Sequence, residues 1–300
     1  MTALKHLVFR GSLNRNRIYK MKKKLIFLDI DGTLTEPGSN IPPESALKAI
    51  RSAQARGHKV LLCSGRNYAM LSPLLKYGFD GVVASAGGYV TVGDEVIYDH
   101  PMTAEQADTA LKALHAEGVF CTVETLDATY GDEDLGSFLA DNAGTKGNSE
   151  IERWRKALAE SLNIRPMSEF DGTKPVYKVV IMCMKDEQLQ PARDLLEKDF
   201  NFVIQEITDP DHPCLNGELI GRAFDKGRGI LRVCEHLGIP VEDTYGFGDS
   251  MNDLEMIETV GTSVCMANGS QKLMEMSDIV CPAVTEDGLA KAFRDLGLSD

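Results

Sequence analysis

The sequence predicts an α/β fold in which a doubly wound parallel sheet carries an inserted α+β domain. Near both ends of the chain, short apolar runs alternate with segments of helical periodicity, as in parallel strands joined by helical crossovers. Between these two parts the pattern includes a hairpin, which a purely parallel sheet would not contain. We therefore expect a leader at 1–20, a doubly wound core formed by 21–87 and 217–300, and an inserted domain at 88–216.

The composition narrows the class of protein. A chain of 300 residues with 43% hydrophobic content can bury a sizeable core, in one large domain or two ordinary ones. A net charge of −13 argues against nucleic acid or an anionic membrane as partner. Seven cysteines without a Cys-x-x-Cys pair predict reduced thiols in the cytoplasm, and the longest apolar run, 179–184, is too short to cross a bilayer. The oligomeric state is left open by the sequence.

The leader is basic and has no acidic residue, but it lacks an apolar region and a cleavage site of the kind that signal peptides carry. We interpret it as a disordered upstream extension, with Met21 as the natural start.

The first apolar run of the core ends in two aspartates. Leu25–Leu28 has no polar alternation, which is typical of a strand buried on both faces, and Asp29 and Asp31 follow it. Their spacing puts both carboxylates on one side of an extended segment, where they need a cation, a shared proton or both. The Asp31-Gly32 pair also fits a hairpin turn. A calcium loop is excluded because Gly32 comes too early and Asn40 stands where the bidentate Glu belongs.

The remaining elements follow from periodicity and from start and stop signals. In the first part of the core we expect a helix from Pro43 to Gly57, a strand at 58–63, a helix around 70–75 and a strand at 81–85. In the inserted domain we expect a hairpin at 90–98, a helix capped by Thr103 and Gln106, a strand at 119–124, a helix from Ser149, a strand at 177–184, a helix at 189–196 and a strand at 202–207. The rest of the core should contain a helix at 229–237 and strands ending near 248, 266 and 281.

Four polar clusters fall at strand ends or helix starts of the predicted core. They are Asp29 with Asp31, Ser64, Lys226, and Asp249 with Asn252 and Asp253. Taken singly, each fits an ordinary turn, cap or solvated residue. Because open α/β sheets bind ligands at the carboxyl ends of their strands, the four together predict one site.

In this order the clusters resemble the motifs of the haloacid dehalogenase-like hydrolase superfamily. The motif residues are Asp29-x-Asp31-Gly32-Thr33, Ser64, Lys226 and Gly248-Asp249-x-x-Asn252-Asp253. The insertion after the second motif resembles the branch with a large α/β cap (type IIB), and Cys63–Arg66, Asp225–Gly227 and Met266–Asn268 are similar to Cof-type phosphatases. One departure is Ala86-Gly87, where members usually carry Asn-Gly.

The resemblance implies a Mg²⁺-dependent phosphatase that forms an aspartyl-phosphate. It implies that Asp29 is the nucleophile and that Asp31 is the general acid and base. The other implied roles are Mg²⁺ ligation by Asp29, Asp249 and the Asp31 carbonyl, support from Asn252 and Asp253, phosphate binding by Ser64, Gly65, Lys226 and Thr33, and substrate contact by Arg66.

The substrate implied is a small phosphorylated metabolite, in particular a sugar phosphate. A phosphomutase of the phosphomannomutase type is the alternative, and a non-catalytic phosphosugar sensor is a weaker one. Arg66, Lys174 and Lys178 are cations that could reach a substrate, although we expect each to be solvated.

Overall fold

Two β-sheets with flanking helices make up the computed structural model, which describes residues 22–142, 164–204 and 214–300. The strands, in chain order, are β1 Leu25–Leu28, β2 Lys59–Cys63, β3 Gly81–Ala84, β4 Tyr89–Val92, β5 Glu95–Asp99, β6 Phe120–Thr125, β7 Thr129–Gly131, β8 Ile164–Pro166, β9 Val176–Cys183, β10 Phe200–Ile204, β11 Leu215–Gly221, β12 Thr244–Gly248, β13 Thr262–Met266 and β14 Ile279–Cys281. The α-helices of the described ranges are α1 Glu44–Ala55, α2 Tyr68–Leu75, α3 Ala104–Ala116, α4 Leu135–Asn142, α5 Gln190–Leu196, α6 Lys226–Leu237, α7 Leu254–Thr259, α8 Gln271–Met276 and α9 Gly288–Asp295. The predicted leader and the helix predicted from Ser149 lie outside these residues.

The first sheet confirms the predicted doubly wound core. Its strand order is β14-β13-β12-β1-β2-β3-β4-β5, and the six strands from β14 to β3 are parallel. The side chains of β1 are fully buried on both faces: Ile26 and Leu28 pack towards α1 and α9, and Leu25 and Phe27 pack towards α6. Each such side chain contributes about 1.5–3 kcal/mol by leaving water. The polar turn after β1 is therefore anchored by a strand at the centre of the core.

The domain boundaries differ from those predicted, because the hairpin at 90–98 belongs to the first sheet. β4 pairs antiparallel with β3, and β5 pairs with β4, so the hairpin covers an edge that β3 would otherwise expose. At the other boundary, β11 pairs with β9 and β10 in the second sheet and continues to Gly221. The predicted limits 88 and 216 are thus corrected, and residues 100–221 are called the cap domain below.

The cap domain is built on the second sheet, with strand order β10-β11-β9-β6-β7-β8. One face packs against α3, which starts with the predicted capping box of Thr103 and Gln106, and against α5. The other face lies towards the core, where Met70 of α2 packs on its apolar residues. Beside this contact the Asn67 amide donates to the Thr129 hydroxyl at 2.9 Å, so the two domains touch through polar groups as well. Among the described residues, no helix is long and apolar enough to span a membrane.

The turn between β3 and β4 is strained at Ala86, where the sequence departs from the motifs that it resembles. Ser85 and Ala86 have φ of 48° and 54°, and Ala86 packs against Ile220 and Phe224 at the junction of the two domains. A left-handed backbone costs a residue with a Cβ atom roughly 1–2 kcal/mol. Gly87 follows with φ 99°, and a Cβ there would lie 2.2 Å from the Asp225 carbonyl oxygen.

Ala86→Gly is therefore expected to raise the free energy of unfolding by about 1 kcal/mol, because glycine adopts this conformation without strain. Urea denaturation followed by circular dichroism measures the change. Ala113→Gly, in the middle of α3, is the control and should lower the stability by a similar amount. A loss of stability in Ala86→Gly would show that the packing of the methyl group outweighs the backbone strain.

Candidate active site

Three neighbouring strands of the core bring the predicted residues together at their carboxyl ends. Asp29 and Asp31 follow β1, Ser64 follows β2, and Asp249 follows β12, and these strands pair β12-β1-β2. Lys226 comes from the first turn of α6. A pocket of about 10 Å³ at this edge is lined by Asp29, Asp31, Ser64, Gly65, Arg66, Ser250 and Asn252. This volume holds about one water molecule, so a larger ligand requires movement of the chain.

Lys226 is the positive centre of a buried cluster of carboxylates. Its ammonium donates to Asp29 Oδ1 at 2.8 Å and to Asp253 Oδ1 at 2.6 Å. Burial alone would lower the pKa of Lys226, but the Asp253 and Asp29 carboxylates outweigh it and hold that pKa well above its usual value. The lysine is therefore charged at every working pH and holds Asp29 at the end of β1.

Asp253 uses both carboxylate oxygens within the protein. Besides the Lys226 ammonium on Oδ1, its Oδ2 accepts from the backbone N–H groups of Asp249 at 3.0 Å and Ser250 at 3.2 Å. Asp253 thus joins Lys226 to the loop after β12.

Three carboxylates at this edge of the sheet lie close enough together to hold a hard divalent cation. One oxygen each of Asp29, Asp249 and Asp253 lie within 4.8 Å of one another. Burial, with the nearby Asp253 carboxylate, raises the pKa of Asp29 to about 7, and the same two causes raise the pKa of Asp249 well above its usual value. Buried anions of this kind are stabilised by a proton or by a metal ion. Because Asp253 is already satisfied, Asp29 and Asp249 are the carboxylates that fit a cation.

Gly32 makes room for this arrangement. Its φ is +87°, and a Cβ atom at this position would lie 2.4 Å from Asp249 Oδ2. The Asn268 amide fixes the turn by donating to the Gly32 carbonyl at 2.8 Å. The sequence did not predict this contact, because Asn268 was identified only as part of the Met266–Asn268 motif.

Asp31 is held by Arg66. We expected Arg66 to be solvated, but the structure buries it. The guanidinium donates to both carboxylate oxygens of Asp31, at 2.8 and 2.7 Å, and to Asn40 Oδ1 at 2.6 Å. The Gly38 N–H donates to Asp31 at 2.7 Å. In this arrangement the Asp31 carboxylate accepts hydrogen bonds from the Arg66 guanidinium and from the Gly38 N–H.

The other predicted contacts are placed as follows. The Ser64 hydroxyl accepts from the Arg66 N–H at 3.2 Å, so it can donate its own hydrogen to a bound group. Thr33 is fully buried, and its hydroxyl lies 3.4 Å from Asp249 Oδ1. Lys174 pairs with Asp127 on the cap domain. Lys178 is fully buried and donates to the Gly65 carbonyl at 2.7 Å, so the expectation that it is solvated is wrong.

The chain is similar to known proteins over nearly its whole length. A family model described as haloacid dehalogenase-like hydrolase matches residues 26–293. YkrA of Bacillus subtilis (strain 168) is 32% identical over 288 residues, covering 93% of this chain and 99% of YkrA. A phosphoglycolate phosphatase of Methanothermobacter thermautotrophicus is 29% identical and is matched over 90% of this chain and 97% of its own length.

A solved structure with the same fold supports the two-domain architecture. It is that of BT4131, described as a sugar phosphatase of HAD subclass IIB, with a TM-score of 0.70 and 24% identity. The match covers 92% of this chain and 100% of that structure, so the similarity includes the inserted domain as well as the core.

Proposed function

Because the chain belongs to the haloacid dehalogenase-like hydrolase family and is a phosphoric monoester hydrolase, we propose that it is a Mg²⁺-dependent phosphatase. Its substrate is a small phosphorylated metabolite of the sugar-phosphate kind, and its intermediate is an aspartyl-phosphate. The observation that carries the proposal is the buried Asp29 carboxylate, held by Lys226 and placed beside Asp249 at the pocket. A carboxylate nucleophile divides a very slow hydrolysis into two easier displacements.

In the first step, an Asp29 oxygen attacks phosphorus and the bond from phosphorus to the substrate oxygen breaks. Lys226 and the Ser64 hydroxyl stabilise the charge on the phosphoryl oxygens. Asp31, protonated at this stage, gives its proton to the departing alcohol oxygen. In the second step, Asp31 takes a proton from a water molecule that attacks the phosphorus, and Asp29 is released as a carboxylate.

The residues present fit Mg²⁺. Asp29 and Asp249 would hold it with their carboxylates, joined by the backbone carbonyl of Asp31 as in the family. When bound, Mg²⁺ offsets the repulsion between the attacking carboxylate and the phosphate and orients the in-line displacement. Asp253, through its backbone contacts, fixes the loop that presents Asp249.

Mg²⁺ affinity is expected to depend steeply on pH in the absence of substrate. With the pKa of Asp29 raised to about 7 and that of Asp249 also raised, both carboxyl groups carry protons at lower pH that the metal must displace. The affinity should therefore fall by about tenfold for each unit of pH below about 7, where Asp29 carries a proton.

Calorimetric titrations at about pH 6, 7 and 8, in buffers with different ionisation enthalpies, count the protons released with the metal. Asp249→Asn is the matched variant and should release fewer protons. An affinity that does not change between pH 6 and 8 would contradict this account of the site.

We propose a cytoplasmic location, which the unpaired, buried cysteines support. All seven cysteines lie in the described part of the chain, and all are buried and free. Thiols of this kind persist in reducing compartments.

The test of the proposed function is a phosphate-release screen over phosphorylated metabolites, with Mg²⁺ and with a chelator. Release that requires Mg²⁺ is the expected result. Isomerisation of a sugar phosphate with little release would favour a phosphomutase, and binding without turnover would favour a sensor; either would overturn the proposal.

A further inference from the structure

In the described part of the chain, one group of metal-binding side chains lies outside the candidate active site. It consists of His115, Cys121 and Asp132 in the cap domain, and it is called the cap cluster below. One ligand atom of each residue, which is an imidazole nitrogen, the thiol sulfur or a carboxylate oxygen, lies within 4.8 Å of the other two. The three side chains come from different elements, so the fold of the cap domain brings them together.

Two changes of chain direction produce the cap cluster. His115 is in the last turn of α3, and the chain turns at Gly118, whose φ is +69°, before Cys121 enters the cap domain on β6. Asp132 directly follows β7, the antiparallel neighbour of β6. The Asp132 N–H donates to the Cys121 carbonyl at 3.1 Å, and the Cys121 N–H donates to Asp132 Oδ2 at 2.7 Å. These backbone contacts hold the carboxylate beside the cysteine.

The separations of the donor atoms are close to those of a tetrahedral metal site. Ligands bound to Zn²⁺ at about 2.0–2.3 Å lie roughly 3.4–3.6 Å from one another. His115 Nε2 is 3.1 Å from Asp132 Oδ2, so this pair needs little change. The thiol sulfur is within 4.8 Å of both, so the three atoms must approach by no more than about 1.3 Å. Of the His115 side chain 40% is exposed, which allows this movement and admits water as a fourth ligand.

The donor set of the cap cluster selects a class of metal. A thiolate combined with an imidazole and a carboxylate suits Zn²⁺, whereas Mg²⁺ takes oxygen ligands. Burial raises the pKa of the Cys121 thiol well above its usual value, so a metal that binds here must displace the thiol proton. Zn²⁺ does so through its strong bond to a thiolate sulfur, and the hard Mg²⁺ ion does not. The cap cluster and the candidate active site therefore differ in the ions that they can hold.

We propose that the cap cluster is a Zn²⁺ site. Its protein ligands are His115 Nε2, Cys121 Sγ and a carboxylate oxygen of Asp132, and the fourth ligand is water. On binding, the bond from zinc to sulfur forms, the S–H bond breaks, and the proton passes to solvent. The bound ion links the end of α3 to β6 and to the chain after β7, so it stabilises the folded cap domain.

The site is separate from the proposed phosphatase function. Cys121 packs on the face of the second sheet that carries α3 and α5, and the opposite face is the one turned towards the core. Metal binding at the cap cluster can therefore be measured without any assay of turnover.

The absorption spectrum of Co²⁺, used in place of Zn²⁺, tests the proposal. With Mg²⁺ in excess to occupy the candidate active site, one equivalent of Co²⁺ should give the wild type a near-ultraviolet band from charge transfer between thiolate and metal. Zn²⁺ added afterwards should remove the band, because it favours tetrahedral sites with a thiolate ligand. Cys121→Ser should have no such band. His115→Gln should bind Co²⁺ about 100-fold or more weakly, since partners outside the ligand shell alone are worth about 10- to 100-fold in affinity.

Cys183→Ser is the matched control, because Cys183 is another buried thiol in the same apolar cluster of the cap domain but does not belong to the cap cluster. This variant should keep the band. Zn²⁺ should also raise the midpoint of thermal unfolding more for the wild type than for His115→Gln. A wild type without the band, a band that persists in Cys121→Ser, or an unchanged affinity in His115→Gln would overturn the inference.

Discussion

Asp29→Asn should reduce turnover by roughly 10⁴- to 10⁶-fold while the protein stays folded, a loss of the size seen when other enzymes lose their nucleophile. The amide has nearly the same shape as the carboxylate, but it is neither a competent nucleophile nor a good ligand for Mg²⁺. Steady-state assays with p-nitrophenyl phosphate and Mg²⁺ measure the effect. Residual turnover above about 10% of the wild-type value would remove Asp29 from this role.

The stability of Asp29→Asn tests a second property of this residue, its raised pKa. Because the pKa of Asp29 is raised to about 7, its ionisation disfavours the folded state. The stabilising effect of the protonated form is lost as the pH rises through that value. At about pH 8 without metal, Asp29→Asn should therefore be at least as stable as the wild type. Asp243→Asn is the control: this aspartate is also buried, but it pairs with Lys22 and Lys24 away from the pocket, and its loss should spare turnover.

Asp31→Asn is expected to act selectively on substrates with poor leaving groups. An alkoxide needs a proton as it leaves, whereas nitrophenolate hardly needs one. The phosphorylation step should therefore slow by roughly 10²- to 10⁴-fold more for an alkyl phosphate than for p-nitrophenyl phosphate. Single-turnover measurement isolates this step from the breakdown of the proposed aspartyl-phosphate, in which we propose that Asp31 is the base.

Arg66→Gln is the control for the pairing of Asp31 with Arg66. If Asp31→Asn acted only by releasing the guanidinium, Arg66→Gln would show the same dependence on the leaving group. Equal losses for the two substrates in Asp31→Asn would leave Asp31 as a positioning residue.

Much of the core could be predicted because its determinants are local in the sequence. The unbroken apolar run of β1 requires burial on both faces, and the structure confirms it. Parallel strands place their carboxyl ends at one edge, so residues as distant as Asp29 and Asp249 could be assigned to one site.

What escaped prediction depends on contacts between distant segments. The hairpin of β4 and β5 has the same pattern whichever sheet it joins, so only its pairing with β3 places it in the core. Arg66 and Lys178 carry charges that are typical of solvated side chains. The neighbouring sequence does not show that Arg66 pairs with Asp31 inside the protein, or Lys178 with Glu124 and Glu218. The sequence predicts Gly32 only as a turn residue after Asp31. The close approach of Asp249, which requires a glycine at this position, is visible only in the structure.

The small volume of the pocket bears on the rate-limiting step of turnover. A pocket of about 10 Å³ is too small for a phosphate ester, so we expect the cap domain to open and close in each catalytic cycle. The hydrogen bonds from Lys178 to the Gly65 carbonyl and from Asn67 to Thr129 cross the boundary between the domains. Water replaces such bonds at a net cost of about 0.5–1.5 kcal/mol for the neutral pair and about 1.5–3 kcal/mol for the bond from the Lys178 ammonium. Such an opening is a conformational step, and where conformational steps are slower than bond cleavage they set kcat.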